Sequence, residues 1–182
     1  MCRDLPQAVA VKLYLSYVRP VLEYGSAVWH SGLREIDALA IERVQASVAR
    51  TILRASRDRT KSSLFAELNW PSLRWRREIG CLCLLHQLLY TRTSPFTDIL
   101  FPLSALNHAY NTRKPLNLIL PPIRTTRYMN SFLTRASILW NSLPHELQNI
   151  KDKKSFKLAL SLHWQSLSYQ TSDSFAHLIR PV

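Results

Sequence analysis

Glycine is nearly missing from this chain: Gly25, Gly32 and Gly80 are the only three in 182 residues. Sandwiches and barrels turn at many tight corners that need positive φ, so such scarcity argues for helices. It also excludes a phosphate-cradling loop, which needs several glycines in a short span. Cysteine is equally rare, at three, too few for a disulfide framework, and a reducing compartment is expected. No uncharged apolar run reaches the roughly 18 residues of a membrane-span candidate. The opening MCRDLPQAVAVKLYLSYVRP carries acid and proline early and lacks a signal-peptide layout. An intracellular setting, nuclear or cytoplasmic and without membrane contact, is therefore expected.

Acid is the last shortage. There are 12 Asp+Glu against 24 Lys+Arg, a net charge of +12 that points to a polyanionic partner, most often nucleic acid. Two-metal polymerases and nucleases need clustered carboxylates to hold ions ~4 Å apart. The aspartates are Asp4, Asp37, Asp58, Asp98, Asp152 and Asp173, with no Asp-Asp pair and no Asp-x-Asp. A serine nucleophile elbow is also missing. His30, His108, His145, His163 and His177 have no acid or nucleophile companion at useful spacing. In Cys81-x-Cys83-x-x-His86 the two cysteines point ~200° apart on a helix, so they cannot share an ion, and two ligands do not make a structural zinc site. The expectation is no catalytic residue, no metal, no cofactor and no small-molecule substrate.

What is present is helical periodicity. Val9, Leu13 and Tyr17 mark one stripe of a first helix from Leu5 to Val18, and Val11, Tyr14 and Val18 a second, with Asp4 and Pro6 at its start. Pro20 is expected to break or restart it and Gly25 to stop it. Residues 33–56 read as a long amphipathic helix burying Ile41, Val44, Val48 and Ile52, with Arg43, Arg50, Arg54 and Arg57 within about 60° of each other on the far side. A short helix at 63–69 takes Ser62 as its cap. Pro71-Ser72 opens a helix to about Tyr90 that is apolar nearly all round, the expected central core. Residues 104–127 read as a Pro-rich loop with at most one short extended segment. Helices follow from Phe132 to Leu143, ended by Pro144, and over 153–167, with Phe156, Ala159, Leu160, His163 and Leu167 inward. The fold expected is all-α with about seven helices over residues 4–167, a sub-boundary near 104–127, and a frayed tail at 168–182.

The strongest positive feature is the basic stretch Arg43, Arg50, Arg54, Arg57, Arg59, Lys61, Arg74, Arg76 and Arg77, set against Glu42, Asp58 and Glu67. Arginine forks grip phosphate oxygens bidentately, and a row of them can follow a backbone without reading sequence. A solvated helix face is the plain alternative. Arg113, Lys114, Arg124 and Arg127 form a second group in the loop; Lys151, Lys153, Lys154 and Lys157 form a third that solvates a helix start. Trp29, Trp70, Trp75, Trp140 and Trp164 sit beside apolar stripes and read as core anchors rather than base-stacking platforms.

Five segments occur in a characteristic order: LYLSYVRPVLEYGSAVW at 13–29, IERVQASVARTIL at 41–53, LNWPSLRWRREIGCLCLLHQLLY at 68–90, RTTRYMNSFLTRASILWNSLPHEL at 124–147 and SFKLALSLHW at 155–164. Together, over about residues 10–165, they resemble the C-terminal region (thumb and downstream) of the reverse transcriptase of jockey-like non-LTR (LINE-type) retrotransposons. SYVRPVLEYGSAVW and LWNSLP are the most specific strings. In that family the palm with its aromatic-Ala-Asp-Asp motif lies upstream, and it has no counterpart here. The resemblance implies a thumb-like helical bundle that contacts RNA, RNA–DNA hybrid or DNA through the backbone, descended from an RNA-directed DNA polymerase but without its catalytic residues. The missing palm is the protein partner it implies. The rival expectation is a domesticated or decaying helical interaction module with no nucleic-acid role.

Overall fold

A computed structural model describes residues 5–91, 95–103, 116–120 and 122–168. The chain is all-α. Ten helices occur among the described residues, counting 7–23 and 26–32 as one each, and the only β pairing is an isolated antiparallel bridge between Leu103 and Leu118. The count exceeds seven because Thr97–Leu100, Thr126–Met129 and His145–Gln148 are single turns, too short to show an apolar period. Two compact units divide the chain, one of Met1–Cys81 with Pro121–Ala136 and one of Leu82–Leu120 with Ser137–Val182. One crossing, at 120/121, falls in the Pro-rich stretch; the other two lie inside helices.

In the first unit, helix α1 runs Gln7–Leu13, widens to a π-turn over Tyr14–Val18 and continues as Arg19–Glu23. Pro20 therefore does not end it. Proline lacks an N–H and its ring crowds the preceding turn; the widened turn, in which Arg19 N–H bonds Tyr14 O, takes up the misfit. Gly25 does stop the chain's helical course, at φ +60°. Helix α2 follows as Ser26–Trp29 and a 3₁₀ turn, His30–Gly32.

Helix α3, Glu35–Ile52, buries a different face from the one its aliphatic spacing suggests. Gln45, Ala46 and Ala49 are inside, whereas Val44 is 43% exposed and Val48 and Ile52 lie at the margin. Alanine lets helices approach closely, and Gln45 is satisfied on both ends: it accepts from Tyr14 Oη (3.1 Å) and donates to Pro71 O (2.9 Å). Tyr14 stacks on Trp70, ring centroids 4.4 Å apart, and Ala49 and Leu64 complete the cluster. Burial pushes the Tyr14 phenol up to about 12.

Helix α3 ends at Ile52 with Leu53 as its C-cap, short of residue 56. Arg54 takes φ +49°, Arg54 N–H bonds Thr51 O (3.3 Å) and Ala55 N–H bonds Arg50 O (3.0 Å), a Schellman closure. Helix α4, Lys61–Leu68, closes the same way with Asn69 at φ +51°. Asparagine tolerates that conformation, but an arginine there costs ~1–2 kcal/mol. The N-cap of α4 is Thr60 rather than Ser62: Thr60 Oγ1 accepts from Ser63 N–H (3.3 Å). Helix α5, Leu73–Thr91, starts after Pro71-Ser72 as expected, with Ser72 Oγ accepting from Trp75 N–H (3.2 Å).

The second unit gathers the C-terminal half of α5 with α6 (Thr97–Leu100), most of α8 (Phe132–Ser142), α9 (His145–Gln148) and α10 (Lys153–Ser168); the turn α7 (Thr126–Met129) belongs to the first unit. Leu82, Leu85, His86, Leu139, Trp140, Phe156 and Leu160 form its buried interior. His86 lies flat on Phe156 at 4.2 Å, with Nε2 2.7 Å from Ile150 O. Among the described residues, 116–120 supply an extended segment. Asn141 holds it as a strand neighbour would, accepting from Leu118 N–H (2.8 Å) and donating to Leu118 O (2.9 Å), while Trp140 Nε1 donates to Leu116 O (2.9 Å). Asp152 caps α10 by accepting from the backbone N–H and the hydroxyl of Ser155 (2.8 and 2.7 Å). Most of the tail expected at 168–182 lies outside the described residues, as do the side chains of Trp164 and Leu167.

Candidate nucleic-acid interface

The first unit concentrates the basic stretch, but packing divides it into two sets. Arg74, Arg76 and Arg77 lie on the first turns of α5, and acids from distant segments occupy all three. Arg74 Nη1 reaches Glu35 at 3.3 Å and its Nε lies 3.7 Å from Glu78. Arg76 meets both carboxylate oxygens of Glu23. Arg77 is fully buried: Nε donates to His30 Nδ1 (3.2 Å), Nη2 lies 3.8 Å from Glu42, and the guanidinium sits 5.8 Å from the Trp29 ring centroid. Burial pulls its pKa below the ordinary arginine value. A phosphate cannot reach Arg77, and Arg74 and Arg76 are already neutralised. These three leave the candidate surface.

Glu78, 3% exposed, is the centre of this buried arrangement. Its Oε1 has His30, Arg74 and Arg135 at 3.7–4.0 Å. Arg135 escaped notice in the sequence because it lies among apolar residues of α8. The one available signal was Arg77-Glu78, two charges inside a helix apolar on every side.

The second set surrounds the end of α3. Arg43, Arg50, Arg54 and Arg57 do not form one helical row, because the helix ends at Ile52 and Arg54 and Arg57 lie in the closing loop. Two of them, Arg50 and Arg57, line a shallow basin of about 630 Å³ together with Ser47, Thr51 and Ala55. Arg50 is half-buried and donates from Nη2 to Arg59 O (3.3 Å), which fixes its stem beneath the basin. Arg59 donates to Ser63 Oγ (2.9 Å) and to Glu67 (2.6 Å), so its charge is compensated. Arg43, Arg57 and Lys61 are exposed and, among the described residues, pair with no carboxylate.

Arg124 and Arg127 are exposed beside the turn Thr126–Met129, while Arg113 and Lys114 lie outside the described residues. Lys151, Lys153, Lys154 and Lys157 are exposed in the second unit, with Lys153 Nζ 2.6 Å from Gln87 Oε1. Trp70 and Trp140 are core residues, and Trp29 and Trp75 are half-buried. Cys81 is buried, which pushes its thiol up to about 12; burial also raises Cys83. Among the described residues no cluster of three His, Cys, Asp or Glu could hold a metal, and no helix is long and apolar enough to cross a membrane.

Compared with known proteins, the chain matches no family model, no curated protein and no solved structure.

Proposed function

We propose that the chain binds the sugar–phosphate backbone of nucleic acid, as a non-catalytic, thumb-like part of a non-LTR reverse transcriptase. The observation that carries this is the sorting of the arginines. Arg59, Arg74, Arg76 and Arg77 each meet a carboxylate; Arg57, which lines the α3 basin, and Arg43 and Lys61, on α3 and α4, keep their charge toward solvent. Uncompensated cations beside a concave polar surface suit phosphate oxygens, which they bind without reading bases. The role is binding and positioning; chemistry belongs to a palm outside this chain.

The test is Arg43→Gln, Arg57→Gln and Lys61→Gln together, on RNA–DNA hybrid and duplex DNA across several salt concentrations. Three lost phosphate contacts flatten the slope of log affinity against log salt by ~2.7 on DNA. The loss is equal across sequences. A control replacing Lys151, Lys154 and Lys157 with Gln leaves the slope nearly unchanged. Wild-type affinity and slope in the first variant would overturn the reading, and template-dependent extension of a primer by the pure chain would overturn its non-catalytic part.

One observation favours the second reading, a protein-interaction module. Tyr17, Val21 and Tyr24 of the α1 segment are 71%, 74% and 84% exposed, an apolar row of the kind that marks partner surfaces.

A further inference from the structure

Alongside the basin lies a second concavity of different character. It is a groove of about 420 Å³ between α1 and α3, walled by Leu13, Tyr14, Tyr17, Val18, Val48 and Ile52. Ser47 and Thr51, one turn apart on α3, line both the groove and the basin, and Arg54 stands at the groove's edge. The Thr51 hydroxyl donates to Ser47 O (3.0 Å), which makes the shared ridge rigid. The groove is near the lower end of the roughly 300–1,000 Å³ typical of sites for small ligands. Tyr17, 71% exposed, offers a free ring face on its wall.

We propose that this groove receives one unpaired base at the end of a nucleic-acid strand, while the adjoining phosphate rests in the basin. The proposal rests on the backbone-binding reading above and adds a subsite to it. Each half of the surface alone would suit many ligands. A free anion gains nothing from apolar walls, and an apolar peptide gains nothing from Arg50 and Arg57. A flat ring joined to a phosphate uses both at once, across a ridge one helical turn long. Bases inside a duplex are stacked and paired, so only an overhang or frayed end can enter. Aromatic stacking of this kind is tolerant of base identity.

Arg54 supplies an independent pointer. It holds a left-handed backbone that glycine or asparagine would occupy with less strain, as Asn69 does at the end of α4. Strained residues concentrate where a ligand is gripped, and here the strained residue lines the groove itself.

The experiment compares a blunt RNA–DNA hybrid with the same hybrid carrying a one-nucleotide 2-aminopurine overhang. Wild-type chain should bind the overhang on the order of tenfold more tightly, with quenched 2-aminopurine fluorescence. Tyr17→Ala, which removes an exposed ring, should abolish both preference and quenching and keep the blunt affinity. Ala10 also lines the groove from α1, and Ala10→Trp, which fills it, should do the same by exclusion. Equal wild-type affinity for blunt and overhang ends would overturn the subsite, leave backbone binding standing, and assign the groove to a protein partner. Retained preference in both variants would overturn it as well. No binding to either hybrid would overturn the backbone reading first and the subsite with it.

Discussion

Glu42, in the middle of α3, accepts the backbone N–H of Arg74 at 2.6 Å across 32 residues of chain. Its second oxygen accepts from Leu73 N–H (3.3 Å), so one carboxylate caps the start of α5 from another helix. A negative charge at a helix N-terminus is stabilised by the unsatisfied N–H groups there. The same carboxylate lies 3.8 Å from buried Arg77, giving it two structural tasks and no freedom to bind a ligand.

Glu42→Ala should therefore cost about 3–5 kcal/mol, because Arg77 is left buried without its counter-charge. In an Arg77→Met background the same change should cost only about 1 kcal/mol, the loss of a cap. Urea denaturation of the four chains in a double-mutant cycle measures the difference. Simple additivity would show that Arg77 does not depend on Glu42.

The interior of the second unit makes a separate prediction. Leu82 and Trp140 are essentially inaccessible, and Trp140 also anchors the 116–120 segment through Leu116 O. Leu82→Ala or Trp140→Ala should each cost ~2–5 kcal/mol, the lost transfer energy plus the cavity left behind. Unchanged denaturation midpoints would place the core elsewhere.

Acid should weaken the same region through His86. Burial holds its pKa below the ordinary 6.5, outweighing the bond to Ile150 O. As pH falls through 6.5 the unfolded chain binds a proton that the folded chain does not, so stability is full above 6.5 and declines toward the lower folded-state value. Denaturation midpoints at about pH 7.5 and about pH 5.5 should differ more in wild type than in His86→Gln. An equal pH dependence in the variant would show that His86 is not the group responsible.

Local pattern made much of this fold legible. Glycine scarcity pointed to helices, Pro71-Ser72 marked the start of α5, and the apolar character of that helix nearly all round marked it as core. Phe156 and Leu160 mark α10 equally well, because a 3.6-residue period acts over one or two turns. The buried face of α3 was misread for a related reason. Ile41, Val44 and Val48 have the right spacing, but close approach of a neighbouring helix selects Ala46 and Ala49, a choice that depends on the neighbour's shape.

The binding surface depended on tertiary structure to a greater degree. Arg74, Arg76 and Arg77 look no different in sequence from Arg43 and Arg57. Their acids, Glu35, Glu23 and Glu42, come from 39, 53 and 35 residues away, and only helix packing brings them within reach. The basin likewise exists because α3 stops at Ile52 and turns through Arg54, which bends Arg57 back toward Arg50. Composition alone determined that the chain is helical and strongly cationic. Which cations remain available was decided in three dimensions, since a charge is free or neutralised according to what lies within a few ångströms of it, whatever its distance along the chain.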